Sequence, residues 1–413
     1  MTSTNWAGNL RYSATSLLRP GTVEELQGVV AREGHVRALG SRHSFNTIAD
    51  TDFTQVSLAE IPLDLVIDAD ARTATVGAGA RYGAFVEELA AAGWAIHNLA
   101  SLPHISVGGA IATSTHGSGD RNGSLAAAVA AIDLVTADGS LRRLSRGDAD
   151  FDGAVVSLGA LGVVARVALD LEPTFDVRQD VFENVPWEAL RDNYDAITSS
   201  AYSVSLFTNW DDDGITQAWL KSRSGGTDAA EFFGGRRATA QRHPLPGISG
   251  DSTTEQLGIT GPWWNRLAHF KLEFTPSNGA EIQTEYLVPR RHAVAAIEAV
   301  RELAPRFRDL LYISELRSIA ADDLWLSPAY HEDCVGFHFT WKRMPEVDAL
   351  LPQLDAAFAP FAGRPHWGKV FDADPARIAG LYPRLADFRE LADRLDPAGK
   401  FRNAFIERWI FTA

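Results

Sequence analysis

Helical and alternating periods of apolar and polar residues take turns along the first part of the chain. GTVEELQGVVAREG (21–34) carries the helical period, with Thr22 and Glu25 spaced as a capping box and Gly34 placed as the stop. HVRAL (35–39) follows as a short strand. DLVIDADARTATVGAG (64–79) predicts two strands around an Asp-Ala-Asp turn. RYGAFVEELAAAGW (81–94) predicts a second amphipathic helix. AAAVAAIDLVTADGSLRRL (126–144) predicts a strand, an Asp-Gly hairpin turn and a second strand. VVSLGALGVVARVALDLEP (155–173) predicts a helical turn and then a long apolar strand. Together these elements predict an α+β unit with mixed strand pairing.

From about residue 174 the texture changes: Trp and Phe become frequent, and a Gly/Pro-rich stretch (223–263) separates the periodic elements. AEIQTEYLVPRRHAVAAIEAVREL (280–303) predicts a strand, a Pro-led start and a helix. DLLYISELRSIA (309–320) and DCVGFHFTWKRM (333–344) predict neighbouring strands. No internal repeat interrupts this order.

Composition narrows the classes. A length of 413 residues allows two or three structural units and a sizeable core. With 46% hydrophobic and 22% charged residues, the chain has the make-up of a soluble globular protein. A net charge of −15 excludes a nucleic-acid partner, because no basic surface is available to neutralise phosphates. A lone cysteine, Cys334, excludes an internal disulfide and any multi-cysteine metal site. The N-terminal MTSTNWAGNLRYS has no apolar core of a signal peptide, and no run of 18 apolar residues could span a membrane. A cytoplasmic enzyme is expected.

Two stretches carry candidate chemistry. ALGSRHSFN (38–46) puts Arg42 and His43 in a small-residue turn directly after a strand, where the backbone can approach a ligand closely. NLASLPHISVGGAIATSTHGSG (98–119) has no Asp, Glu, Lys or Arg and is packed with Gly, Ser and Thr. Such a segment can offer backbone N–H groups and hydroxyls to a diphosphate without repelling it. GAGARYG (77–83) imitates a dinucleotide-binding loop, but its spacing is G-x-G-x-x-x-G and no acid occurs from Leu89 to Gly119 to hold a ribose. It is read as a strand-to-helix turn.

Further along, Glu315 and Arg317 are two apart in YISELRSI and share one strand face, as do His338 and Thr340 in GFHFTWK. Lys369 stands in HWGKV. If buried, such groups need partners. They are either a structural pair on a solvated sheet face or the lining of a cavity for a polyhydroxylated ligand. HEDC (331–334) with His338 lacks the supporting groups of a metal site, and no metal is expected. WDDDG (210–214) is read as a solvated turn rather than a calcium loop.

ALGSRHSFN, SLPHISVGGAIATSTHGSG (101–119) and DPAGKFRNAF (396–405) resemble the FAD-binding segments of the vanillyl-alcohol oxidase flavoprotein family, in the family's order, and the likeness covers nearly the whole chain. Within the family the chain most resembles the branch that oxidises alditols. The resemblance implies an α+β, two-domain fold. Residues 1–173, completed by 371–413, would bind FAD, and residues 174–370 would lay a large antiparallel sheet over the flavin as the substrate domain. It implies a covalent bond from His43 to the flavin 8α carbon, and a single one, since no cysteine lies in 98–119. FAD-binding positions implied with it are Gly40, Ser41, Arg42, Ser44, Ser101, Ser106, Gly109, Ala112, Thr113, Ser114, Thr115, Val163 and Asn403.

On the substrate side it implies that Arg317 and Lys369 meet the reacting C1 hydroxyl, that Glu315 and Thr340 hold further hydroxyls, and that Ser101 bridges substrate and flavin. His338 would support Glu315 or act as base, and Ala100 is the small residue whose counterpart accompanies oxygen access. The implied reaction is oxidation of a linear polyol to an aldose with reduction of dioxygen to hydrogen peroxide, by a monomer. The rivals are an aldonolactone oxidoreductase of the same family, an NAD-dependent polyol dehydrogenase and a non-enzymatic sugar-binding protein.

Overall fold

A computed structural model describes residues 4–274 and 281–412 of the chain. Helix Val23–Arg32 begins as its sequence dictates: Thr22 Oγ1 accepts from the Glu25 amide at 3.1 Å. Glu25 Oε2 accepts from the Gly21 amide at 2.7 Å, one residue further out than a capping box requires. The helix ends at Arg32 with Glu33 already extended, so Gly34 is not its stop. Val23, Leu26 and Val30 point into the core at helical spacing.

Two sheets share that core. Ser16–Leu18, Thr54–Ser57 and Val36–Leu39 pair in parallel, with Thr54–Ser57 in the middle. Val66–Asp68, Thr73–Gly77, Val163–Asp170, Val129–Val135 and Leu141–Ser145 form an antiparallel sheet in that spatial order. Phe388, Leu391, Phe401, Phe405, Ile406 and Ile410, from the C-terminal stretch, pack into the same core. Trp263, Leu267 and Leu326 join it too, from a region of the sequence that otherwise builds the second unit.

The second unit is a large antiparallel sheet of ten strands among the described residues. Its main strands are β1 (Asp176–Val185), β2 (Ser203–Thr208), β3 (Ile215–Ser222), β4 (Glu281–Pro289), β5 (Leu311–Ile319) and β6 (Cys334–Lys342), in spatial order β1-β3-β2-β5-β6-β4. The register lines up Glu285, His338 and Glu315 in one row across β4, β6 and β5. Alternation then sorts the two faces. Tyr286, Val288, Leu316, Val335, Phe337, Phe339 and Trp341 pack against helices Trp187–Thr198, Ala293–Leu303 and Pro345–Phe358. Gln283, Glu285, Glu315, Arg317, His338 and Thr340 turn to the opposite face, toward the first unit.

Polar groups stitch the units and the chain ends together. The Gly119 amide donates to Ser318 O at 2.9 Å and the Ala320 amide to Asn122 O at 3.0 Å, which ties the glycine-rich loop to the end of β5. The Phe45 amide donates to Gly368 O at 2.8 Å. Arg37, 3% exposed on strand Val36–Leu39, donates to the carbonyls of Ile48, Leu158, Gly159 and Phe401. Lys400 Nζ reaches Val30 O and Ala137 O, both at 2.6 Å. Among the described residues no helix is long and apolar enough to cross a membrane.

Arg37 is one donor group shared by four carbonyls. Each carbonyl left without a donor costs roughly 1–3 kcal/mol. Arg37→Met should therefore lower stability by several kcal/mol. Urea denaturation checks this, and an unchanged midpoint at unchanged slope would mean that other donors replace the guanidinium.

Candidate active site

A cavity of about 950 Å³ opens between the two units. Its first wall is built from the turn after strand Val36–Leu39 and from the glycine-rich loop. The Ser41 amide donates to Ser106 Oγ at 3.2 Å, and the Ser106 amide donates to Ser41 Oγ at 3.0 Å. This reciprocal pair zips the two stretches together. Gly40 is required there, since a Cβ would lie 2.6 Å from Ser106 Oγ. Arg42 adopts the left-handed conformation (φ 67°), and its carbonyl accepts from the Trp6 amide at 2.8 Å. His43 stacks on Trp6 with ring centroids 5.3 Å apart, and its Nδ1 lies 3.1 Å from Ser41 Oγ. Burial pulls His43 down to about 4, so its ring is neutral at physiological pH.

This wall suits FAD. The lining acids, Glu281, Glu285 and Glu315, all come from the large sheet, while the first unit contributes small residues, hydroxyls, Arg42 and Arg81. Such a donor set accepts a diphosphate without charge repulsion. Of the positions singled out in the sequence, Gly40, Ser41, Arg42, His43, Ser44, Ser101, Ser106, Gly109, Ala112, Thr113 and Thr115 line the cavity, as does Ala100. Three stand elsewhere. Ser114, at φ 55°, turns its Oγ to Ser327 Oγ at 3.2 Å. Val163 points into the core while Gly162 and Val164 line the cavity. Asn403 caps the helix at Ala404 and donates to the carbonyls of Thr47, Ile48 and Asp50, which makes it a tether for the C-terminal segment. In GAGARYG, a Cβ on Gly79 would lie 2.1 Å from Leu58 O and the turn runs into the short 3-10 helix Tyr82–Ala84, so Gly79 permits close packing while Ala78, Gly79 and Arg81 line the cavity.

The opposite wall is the polar face of the sheet. Arg317, 7% exposed, donates to Glu285 Oε1 at 2.9 Å and to Ser101 Oγ at 3.3 Å, and its Nε lies 3.6 Å from Glu315 Oε1. Glu315 Oε1 is also 2.8 Å from His269 Nε2. Glu285 Oε1 is 3.1 Å from His116 Nε2, which comes from the glycine-rich loop. Lys369 Nζ donates to Gln283 Oε1, as does His338 Nε2 at 3.1 Å. His338 therefore sits beside Glu315 in the sheet row yet bonds Gln283; Glu315 takes its imidazole partner from His269. Thr340 lines the cavity alongside them.

Burial alone would raise both carboxyls. His116 and Arg317 instead hold Glu285 well below the usual carboxylate range, and Arg317 with His269 does the same for Glu315. Burial, with neighbouring cations, pulls His338 and His366 down to about 3 and Lys369 to about 8. The wall thus holds two carboxylates, a guanidinium, an ammonium close to its titration point and the neutral imidazoles of His269, His338 and His366. His116, Glu285 and His366 bring ligand atoms within 4.8 Å of one another, but Arg317 already compensates Glu285 there. His331 and Cys334 of HEDC diverge: His331 is exposed against Asp323, and Cys334 is buried against Pro328 O.

Gln283, Glu285, His116, His269, His366 and Lys221 were not singled out from sequence. Residues 281, 283 and 285 do carry a polar period of two inside a strand, which is the signal that could have found Gln283 and Glu285.

Comparison with known proteins agrees with this geometry. Residues 14–145 match a family model described as an FAD binding domain, and residues 277–409 match one described as D-arabinono-1,4-lactone oxidase. An alditol oxidase from Streptomyces sp. is 47% identical over 409 residues, covering 98% of this chain and 97% of that protein. An L-gulono-1,4-lactone dehydrogenase from Mycobacterium tuberculosis is 29% identical over 422 residues, covering 98% of each. Cholesterol oxidase from B. sterolicum superposes with a TM-score of 0.76 at 15% identity over 99% of this chain and 96% of that one, a likeness of fold alone. With the acid-free cradle, the large antiparallel sheet and a full-length relative at 47% identity, the chain belongs to the alditol oxidase family of FAD-dependent oxidoreductases and has the vanillyl-alcohol oxidase-like fold.

Proposed function

We propose that the protein oxidises the primary C1 hydroxyl of linear polyols such as xylitol and sorbitol to the aldose, reduces dioxygen to hydrogen peroxide, and holds its FAD covalently through His43. The observation that carries this reading is the cavity wall of Arg317 and Lys369 set among the acceptors Glu315 and Gln283 and the hydroxyls of Thr340 and Ser101. A polyol is neutral and is a donor and an acceptor at every carbon, so an alternation of fixed donors and acceptors matches it. When bound, FAD supplies the hydride acceptor and the site of dioxygen reduction.

The chain's own residues do the rest. Arg317 and Lys369 face the C1 oxygen and favour negative charge there as its hydroxyl proton passes to the neutral ring of His338 and hydride leaves C1. Glu315 and Thr340 accept from and donate to further hydroxyls and fix the register of the chain. Misplacement by about 1 Å would cost on the order of 100-fold. Ser101 is held from both sides, its Oγ by Arg317 and its carbonyl by the His269 amide at 3.2 Å. Ala100, 7% exposed beside it, keeps that edge free of a bulky side chain. The second reading, aldonolactone oxidation, is favoured by the match over residues 277–409. A panel of polyols against lactones in a peroxide assay separates the two.

Neutral His43 suits the bond proposed for it, since only a ring nitrogen with a free lone pair can attack carbon. The yellow colour should stay with acid-precipitated protein, and His43→Ala should release it into the supernatant or lose it altogether. Flavin that washes off the wild type in acid would rule out the covalent bond.

Arg317→Ala should lower kcat and kcat/KM together by roughly 2.7–4 kcal/mol, the scale of a lost oxyanion donor. A rise in KM alone would mean that Arg317 binds ground state and transition state equally.

Lys369 is cationic below about 8. Its positive charge is lost as pH rises through that value, so kcat/KM should fall above pH 8. Lys369→Arg, which stays charged, should remove this limb of the profile. A rate that climbs through pH 8 would make Lys369 a base instead.

A further inference from the structure

We propose that Lys221 and His269 are positioning residues: the Lys221 ammonium fixes the His269 imidazole in the tautomer that carries its proton on Nε2, and that proton holds the Glu315 carboxylate for a substrate hydroxyl. The substrate part of this inference rests on the polyol reading; the tautomer part does not.

Lys221 stands on β3, 1% exposed, behind the cavity wall. Its Nζ is surrounded by three acceptors, Leu267 O at 2.5 Å, Ala268 O at 3.0 Å and His269 Nδ1 at 3.1 Å. An ammonium has three N–H donors and no lone pair. The lone pair of the third contact must therefore sit on His269 Nδ1. A neutral imidazole carries a single proton, and here it has to be on Nε2, which lies 2.8 Å from Glu315 Oε1. Burial keeps His269 neutral, at about 4, and draws Lys221 to about 7, so near pH 6 the ammonium and the neutral ring coexist.

The backbone makes the same residue act twice. The amides of His269 and Phe270 both donate to Ser101 O, at 3.2 and 3.3 Å. Lys221 thus anchors a segment that aligns Ser101 from the first unit and Glu315 from the sheet. A neutral hydrogen-bonding ring beside Glu315 leaves the carboxylate charged and acceptor-only, so it selects a substrate hydroxyl as donor.

The test uses full-length holoenzyme labelled with 15N-histidine at pH 6, its imidazole couplings read by NMR and the His269 signals assigned by their loss in His269→Gln. The expected result is the Nε2–H pattern for wild type and a shift toward Nδ1–H in Lys221→Met. A wild-type ring that is Nδ1–H or doubly protonated overturns the proposal, and that spectrum decides even if Lys221→Met does not fold. So does an Nε2–H population that Lys221→Met leaves unchanged. In polyol kinetics, Lys221→Met should raise KM about 10-fold or more with a smaller change in kcat, the scale of a lost bond to a charged group. His269→Gln, which keeps a donor near Nε2, should stay closer to wild type than His269→Leu, and adding Lys221→Met to it should add little. Full additivity of the two substitutions would overturn the coupling. A wild type that ignores polyols counts against the polyol reading, while the spectrum still decides the tautomer.

Discussion

The buried guanidinium of Arg317 is the constraint on which the site depends. A cation taken out of water must be compensated where it stands. Glu285 comes from β4, Glu315 from β5 and Ser101 from a loop of the other unit, so one side chain fixes the relation of three separate pieces of chain. The burial of so polar a sheet face follows from this. Its outer helices take the apolar alternate residues, and its inner face is shielded from bulk solvent by the first unit across the cavity.

The network is better understood as a positioning device than as a source of stability. A buried ion pair contributes little net stability over apolar residues of equal volume, since desolvation consumes most of the Coulomb attraction. What it does is exclude other arrangements. Glu285 cannot turn away from Arg317 without leaving His116 as well, and β5 cannot slide because the Gly119–Ser318 and Ala320–Asn122 bonds tie its end to the glycine-rich loop. The distance from cradle to sheet is thereby set by backbone bonds, and the chemistry by side chains.

Much of this was legible in the sequence, for reasons that differ by residue. Glu315, Arg317, His338 and Thr340 were found from a period of two, which a strand enforces whatever surrounds it. Composition drew attention to the cradle, but an acid-free run of small residues alone also describes an ordinary glycine-rich loop; its pairing with GSRHSFN and the family resemblance assigned it to FAD. Lys369 was placed by resemblance, since a lone lysine in a loop has no periodicity. For Ser114 and Asn403 a motif gives positions but not directions: a left-handed φ turns the Ser114 side chain to Ser327, and cap and carbonyl bonds engage that of Asn403. Lys221 and His269 left no trace at all. One is a single lysine in an apolar strand, the other sits in an irregular stretch, and they meet 48 residues apart.

The bond from Arg37 to the carbonyl of Phe401 spans 364 positions of sequence. Polypeptides leave the ribosome vectorially, so a strand made early has to wait for its last partner. At about 5–20 residues per second that interval is roughly 20–70 s. During it the cradle's strands are already made while the C-terminal segment that closes their core does not yet exist. The strands of the cradle therefore carry an open, apolar seam until the segment holding Phe401 has been made, and the nucleotide pocket is finished only after that segment docks.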